Sequence, residues 1–435
     1  MSVDRWPVVG VEVTSRAITA HGGAVLLRDV MGALGVVGEV NDCVGLKQRR
    51  RGLSEGEFVA AMAESIALGA TCLDDLAVGR ADVAQEMLRG FAVPAPQTAG
   101  SWLRRFTGGH VRQLDKALAA VVRRAYGAAG VSEVTLDFDS TYIFSRSKRR
   151  EGADRTYKKR YALHPMLCFD AWSGAAVHAR LRRGRSGAST GIATFVSEAL
   201  RRVPTGVAVR ARFDSGFYSG PLFDQLEAAG VTYLCGVPLT PRVLEAATAI
   251  ADDCWAPCTD KDEGEVAEFG YRLRDSRRFR RYIVKRIEIE NGEQASLETG
   301  VYRYWIFATN DQVTDAAVLE SEHRHKANVE AGMRELKSNF GLSALRKHGF
   351  MANWTWLLLV CLGHNLCCWV QQLGHLGGGR DGADLRAKRL RYRYLTVPAL
   401  VVRSARRLTL KLPDRYPFLD GFLNVRERLW QLDVP

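Results

Sequence analysis

From residue 133 the chain alternates with a period of two. Val134, Leu136 and Phe138 fall on one side of an extended segment, and Thr135, Asp137 and Asp139 on the other. Val207, Val209, Ala211 and Phe213 repeat the pattern, with Arg210, Arg212 and Asp214 opposite. Each predicted strand stops at an aspartate followed by small, turn-forming residues. Aspartate is depleted in strands, so two strands ending this way need a reason. A turn-initiating Asp-Ser is the ordinary one. The other is that an open α/β sheet presents ligand-binding groups at its strand ends.

Between and after these strands the pattern predicts a hairpin over 164–182 turning at Trp172-Ser173-Gly174. A helix follows from about Ser189, capped by Ser189 or Thr190. A helix near 220–229 and a strand at 231–236 come next, which together make a mixed α/β sheet. Residues 240–310 break the alternation with further strands at Tyr282–Ile289 and Tyr302–Ala308, joined through a turn at Glu290-Asn291-Gly292. Trp255 and Trp305 in this region are expected as core aromatics, base stacking being the functional alternative. Residues 1–130 read as short helices broken by Gly and Pro. Ala81–Leu88 and Gln97–Phe106 flank a turn, which suits a helix-turn-helix with Ser101, Arg104 and Arg105 exposed, or a plain helical hairpin. Beyond an apolar helix at 352–372, Gly377–Gly382 forms a joint and Arg386–Arg393 is strongly basic. A strand at Leu408–Leu412 and a helix from Phe422 close the chain.

One further stretch carries chemistry. Over 323–340, His323, Lys326, Glu330, Arg334 and Lys337 fall on one helical stripe, beside the apolar positions Val329, Met333, Leu336 and Phe340. A solvated helix with four-residue ion pairs is the plain reading. Together with Asp139 and Asp214, a lone carboxylate among basic groups suggests instead a site for two hard divalent cations acting on phosphate.

The segments Leu136-Asp137-Phe138-Asp139-Ser140-Thr141, Arg212-Phe213-Asp214-Ser215-Gly216-Phe217-Tyr218 and Ala327-Asn328-Val329-Glu330, continued by Glu335-Leu336-Lys337, resemble the DDE transposases of bacterial insertion sequences. The branch is the one with a Tyr-x2-Arg-x3-Glu-x6-Lys signature. His164–Asp170, Ser173-Gly174 and Leu181–Ser186 resemble the family's intervening hairpin, and Cys72-Leu73-Asp74-Asp75-Leu76 is also similar. The resemblance implies a ribonuclease H-like core over 131–375 with a β insertion at about 240–310. A helical DNA-binding region would precede it over 1–130, and a small basic α+β tail would follow over 376–435 for DNA or subunit contact. It makes Asp139, Asp214 and Glu330 the catalytic, metal-binding triad, with two Mg²⁺ ions and Mn²⁺ as a substitute. Asp137 shares the face of Asp139 as a supporting group. Lys337 matches the signature lysine and Lys326 the arginine, while His323 stands at the tyrosine. Lys326 keeps the charge without the guanidinium fork. With Arg334, Arg104 and Arg105 these residues are the expected DNA contacts. The implied activity is binding of inverted element ends, their cleavage, and joining of 3′ ends to target DNA by a homodimer assembled on DNA. The rivals are a nuclease without strand transfer and a DNA-binding relative with a decayed site.

Composition narrows this little further. Lys plus Arg number 61 against 48 Asp plus Glu, and the formal charge of +13 favours a polyanionic partner. A second basic run lies between the first aspartate strand and the hairpin: Arg146, Lys148, Arg149, Arg150, Lys158, Lys159 and Arg160, around Tyr157 and Tyr161. The nine cysteines are scattered, as in a reducing compartment, and Cys361, Cys367 and Cys368 with His364 are expected as core rather than metal ligands. No signal segment is evident at Met1–Pro7, and the polar residues of 352–372 argue against a membrane span. The expected location is the cytoplasm, on the nucleoid.

Overall fold

The computed structural model describes residues 10–47, 49, 51–156, 158–258, 264–276, 278–289, 302–324, 327–345, 347–376 and 385–432. The turn expected at Glu290–Gly292, the Gly377–Gly382 joint, Tyr157, Lys326 and part of the Lys47–Arg51 run lie outside them.

The strands of the main sheet are β1 (Glu133–Ser140), β2 (Met166–Asp170), β3 (Ala176–Arg180), β4 (Ala208–Phe213), β5 (Thr232–Gly236), β6 (Ala256–Pro257), β7 (Glu265–Tyr271), β8 (Arg280–Glu288) and β9 (Tyr302–Thr309). The helices that matter here are α1 (Glu55–Leu68), α2 (Val83–Arg89), α3 (Pro96–Arg104), α4 (Ile192–Leu200), α5 (Ala316–Arg324), α6 (Ala327–Asn339), α7 (Phe350–Leu373) and α8 (Leu419–Trp430). The sheet order is β6-β7-β8-β9-β5-β4-β1-β2-β3. β1, β4 and β5 are parallel, whereas β2 folds back antiparallel on β1 and β3 antiparallel on β2. Three meandering strands followed by two parallel ones form the ribonuclease H-like core that was expected. The inserted β-region is not a separate module. β9 pairs antiparallel with β5, Phe307 opposite Gly236, so β9 to β6 continue the same sheet.

Parallel pairing of β1 with β4 requires a crossover, and α4 supplies it. Its first turn is preceded by Gly191, at φ 78° and with no side-chain cap, rather than by the expected Ser189 or Thr190. Under the sheet, Phe138 stacks on Phe213 at 4.7 Å and meets Phe195 of α4 edge-on. Edge strand β3 is blunted by α7: Asn365 accepts from the Ala176 amide at 2.7 Å and donates to its carbonyl at 2.8 Å. Among the described residues, α7 is the one helix long and apolar enough to cross a membrane. Of its most apolar 18-residue stretch 94% is buried in this protein, so its apolar length is explained by core packing. Cys361, Cys367, Cys368 and His364 are buried in it, as expected.

The helical region and the tail pack as one body. Ile18 pairs with Leu400, and the strand Ala399–Ser404 carries Arg407–Lys411 on its other side. One core runs from Val25 through α7 to Leu429 of α8. α1 opens with a reciprocal capping box between Ser54 and Glu57, and carries Glu64, which is 1% exposed. Arg28 at 2.9 Å and Arg89 at 2.6 Å compensate this buried carboxylate. α2 and α3 are anchored on different neighbours. Gln85 of α2 donates to Thr19 and His21, whereas Trp102 of α3 stacks on Phe58 of α1 and donates to Glu55.

Burial acts to raise the pKa of Glu64, but the two arginines prevail and bring it down from 4.5 to about 2. A depressed acid stabilises the fold above its unfolded pKa and loses that contribution as pH falls toward the folded value. The stability difference between wild type and Glu64→Gln should therefore be full above about pH 5, on the order of 3 kcal/mol. It should shrink toward pH 2, as read by urea unfolding across that range.

Candidate active site

The centre of the sheet carries a buried ion pair. Asp137 on β1 lies directly opposite Arg212 on β4. The guanidinium grips it bidentately, Nε to Oδ1 at 2.6 Å and Nη2 to Oδ2 at 2.7 Å, with Asp137 fully buried. The Arg212 Nη1 donates at 2.7 Å to the Glu322 carbonyl of α5, which ties that helix over this face. Asp137 thus sets register beneath the site. The next registered pair is Phe138 with Phe213, and one residue further come Asp139 and Asp214. Side chains two apart share a face, and Asp214 is still extended at φ −78° and ψ 163°. The two aspartates therefore leave one face of two neighbouring strands, whose backbones run about 4.8 Å apart.

Close backbone packing forms the turns here. A Cβ at Gly236 of β5 would come 3.0 Å from the Ser215 amide, and one at Gly216 would sit 3.1 Å from Cβ of Ala188. Asp139 accepts from the Ser140 amide at 2.6 Å. His164, which sequence reasoning passed over as a site residue, lies beside it. Its Nδ1 is 2.9 Å from the Ser186 carbonyl, which can only accept, so Nδ1 carries the proton. Nε2 then accepts from the Ser140 hydroxyl at 3.0 Å. Burial and the neighbouring Arg182 charge lower the His164 pKa to about 4, which keeps the ring neutral. Arg182 itself donates to the carbonyls of His164, Gly187, Ala188 and Thr190, fastening the loop that packs on Gly216. The His-Pro pair before β2 was the available signal.

α6 approaches from the side of β2, where Gly332 faces Phe169. Lys337 donates to the Thr141 hydroxyl just past the end of β1. Burial lowers its pKa and the Asp139 carboxylate opposes that shift, so this ammonium lies within the field of Asp139. Glu330 and Arg334 are exposed on the same helix and have no ion-pair partner among the described residues. Glu330 stands two turns from Lys337, about 10 Å along the axis. Asp139, Asp214 and Lys337 are thus gathered at one edge. Among the described residues, no three His, Cys, Asp or Glu side chains lie close enough to share an ion.

Within the expected stripe, residues 325 and 326 lie outside the described residues, between α5, which ends at Arg324, and α6, which starts at Ala327. His323 belongs to α5, where its ring lies flat on Phe307 at 4.9 Å. Trp305 corrects another expectation. It sits on β9 and is 46% exposed, on the face of Phe307, with Arg303 beside it. Trp255 is partly buried under the Arg286 guanidinium at 4.0 Å. At the end of α3, Arg104 and the following Arg105 are exposed; Arg104 bonds Ser101 and Arg105 donates to the Leu46 carbonyl. The basic run past Asp139 folds as a small sheet of Ile143–Phe144, Tyr161–Leu163 and Asp154–Arg155. It leaves Arg146, Lys148, Arg149, Lys159 and Arg160 exposed beside the site edge.

α6 is held from behind by segments far away in the chain. Glu335 accepts from the Ala387 amide at 2.6 Å, and Arg391 donates at 3.0 Å to the Asn339 carbonyl at the helix end. The Thr71 carbonyl approaches Gly341, where a Cβ would lie only 2.4 Å away. Asp75, of the Cys72–Leu76 motif, supports that loop by accepting from the Thr71 and Cys72 amides.

A family model described as transposase DDE domain group 1 matches residues 1–434. The chain belongs to that family. No curated protein matches it. Among solved structures it is similar to the piggyBac transposase, in a synaptic complex with hairpin DNA, at 13% identity and a TM-score of 0.46. That match covers 88% of this chain and 82% of the other. For this DDE-family chain, the Asp137–Arg212 pair is a direct test of the site's foundation. Arg212→Ala removes the bidentate partner of a buried carboxylate and should cost about 3–5 kcal/mol. Replacing both members with apolar residues should recover most of that loss in a chemical unfolding series.

Proposed function

We propose that this chain is the DNA transposase of an insertion sequence, which binds inverted element ends, cleaves them and joins the freed 3′ ends to target DNA. The observation that supports it most is the emergence of Asp139 and Asp214 side by side at the end of neighbouring parallel strands, with Lys337 at the same edge. Carboxylate oxygens at an open strand edge suit hard divalent cations, Mg²⁺ or Mn²⁺ in its place. Asp139 and Asp214 would hold them; Glu330, the third acid of the expected triad, would join them only if α6 closes on the edge, since the three do not form a cluster here. Two such ions, when bound, help deprotonate the attacking oxygen and stabilise the leaving oxygen of an in-line displacement.

The remaining work falls to the chain's own side chains. Lys337 keeps a cation beside Asp139, where it can hold a phosphate oxygen of the scissile strand. His164, neutral and fixed by Ser186, orients Ser140 and so the backbone amide that donates to Asp139. Arg146, Lys148, Arg149, Lys159 and Arg160 supply cations along the path by which a duplex would reach the edge. Trp305, exposed on the face of α5, offers a ring to an unpaired base. Arg104, Arg105, Arg334, Lys326 and His323 are assigned to DNA contact, and a dimer on DNA would hold the two ends together. The working place is the cytoplasm, on the nucleoid.

Purified protein with Mg²⁺, a duplex carrying its element's own terminal repeat, and supercoiled target should yield joined products. Asp139→Ala, Asp214→Ala and Glu330→Gln should each lower the yield by about 10³-fold or more, the equivalent of several kcal/mol of lost barrier reduction. Chelation by EDTA should abolish it, and Mn²⁺ should restore it. Cleavage without joining would assign a nuclease instead, and binding without cleavage a DNA-binding relative that has lost its chemistry.

A further inference from the structure

We infer that the β-ribbon of Ala399–Ser404 and Arg407–Lys411 is a second DNA-docking element, which grips the phosphate backbone of duplex DNA apart from the edge that carries Asp139 and Asp214. The inference rests on the transposase reading and extends it to a named surface.

The ribbon turns through two residues, Ala405 and Arg406, because Ser404 pairs with Arg407. Its base is anchored: Ala399 and Val401 are buried, and Ile18 and Thr19 pair along one side. Its tip is not. Arg403, Arg406 and Arg407 are all exposed, as are Lys411 and Arg415 just beyond. Across 403–415 five basic residues face a single acid, Asp414. Several arginines elsewhere in this protein are paired with carboxylates, as at Arg28, Arg124, Arg202, Arg212 and Arg280. The three guanidiniums at the tip have no side-chain partner among the described residues. Holding three like charges within five residues opposes folding unless an anion is met there. Guanidinium forks match phosphate geometry, and a two-stranded ribbon fits the major groove.

The ribbon also has a fixed relation to the catalytic edge. The chain enters it directly from the segment in which the Ala387 amide holds Glu335 and Arg391 holds the end of α6. A duplex seated on the ribbon is therefore held relative to the helix that bears Glu330.

The test uses the full chain and a fluorescein-labelled random-sequence 30-bp duplex, read by anisotropy over a salt series. Each lost phosphate contact lowers the slope of log K against log salt by about 0.9. Arg403→Ala/Arg406→Ala/Arg407→Ala should lower the slope by about 2.7, whereas the corresponding triple lysine variant should keep it. Arg406→Ala alone should lower it by about 0.9, which covers the case in which the triple alanine variant does not fold. A wild-type slope in the folded alanine variants, with the wild type binding the duplex, would overturn the ribbon assignment and leave the transposase reading intact. Failure of the wild type itself to bind duplex DNA at low salt would overturn both.

Discussion

The candidate site depends on one buried interaction, the bidentate pair of Asp137 and Arg212 across the parallel strands β1 and β4. Such a pair adds little net stability, because desolvating two charges offsets most of their attraction. Its value is in register. A slip of one residue would set Arg212 against Phe138 and leave a guanidinium and a carboxylate unpaired in the core. Only the observed register avoids that, and the same register brings Asp139 level with Asp214. Through Glu322, Arg212 also decides where α5 crosses, and therefore where the chain re-enters to build α6.

Much of this was legible in the residues, and the limits are physical. Alternation at Val134, Leu136 and Phe138 gave β1 correctly, because a strand buried on one face must alternate. The strand-terminal aspartates were likewise visible. The partner of Asp137 was not, since it lies 75 positions away and parallel pairing leaves no local trace. The stripe from His323 to Lys337 is in phase for a single helix, but nothing local in the residues shows that His323 stacks on Phe307 of a distant strand. Trp305 looked like core because large aromatics usually bury. Its face of β9 is covered by His323 of α5 at Phe307 and left open at Trp305.

The support of α6 shows the same limit in another form. Glu335 reads as an ordinary helix-surface acid, and Arg391 as one cation in a solvated basic run. In the fold they meet backbone groups 52 residues away, Glu335 at Ala387 and Arg391 at Asn339. A guanidinium at a helix C-terminus satisfies a carbonyl that the helix cannot, and opposes the negative end of its dipole. The catalytic-edge helix is thus fastened by residues that composition alone assigns to a tail.

The pairing of Ile18 with Leu400, and of α6 with residues beyond 386, has a consequence for the order of events in synthesis. A chain still emerging from the ribosome has its aspartate strands long before it has the partner of its first strand or the clasp on its glutamate helix. The edge that carries Asp139, Asp214 and Lys337 therefore cannot settle until residues 387–400 have been made. A chain truncated before residue 386 would carry these side chains on a scaffold left open.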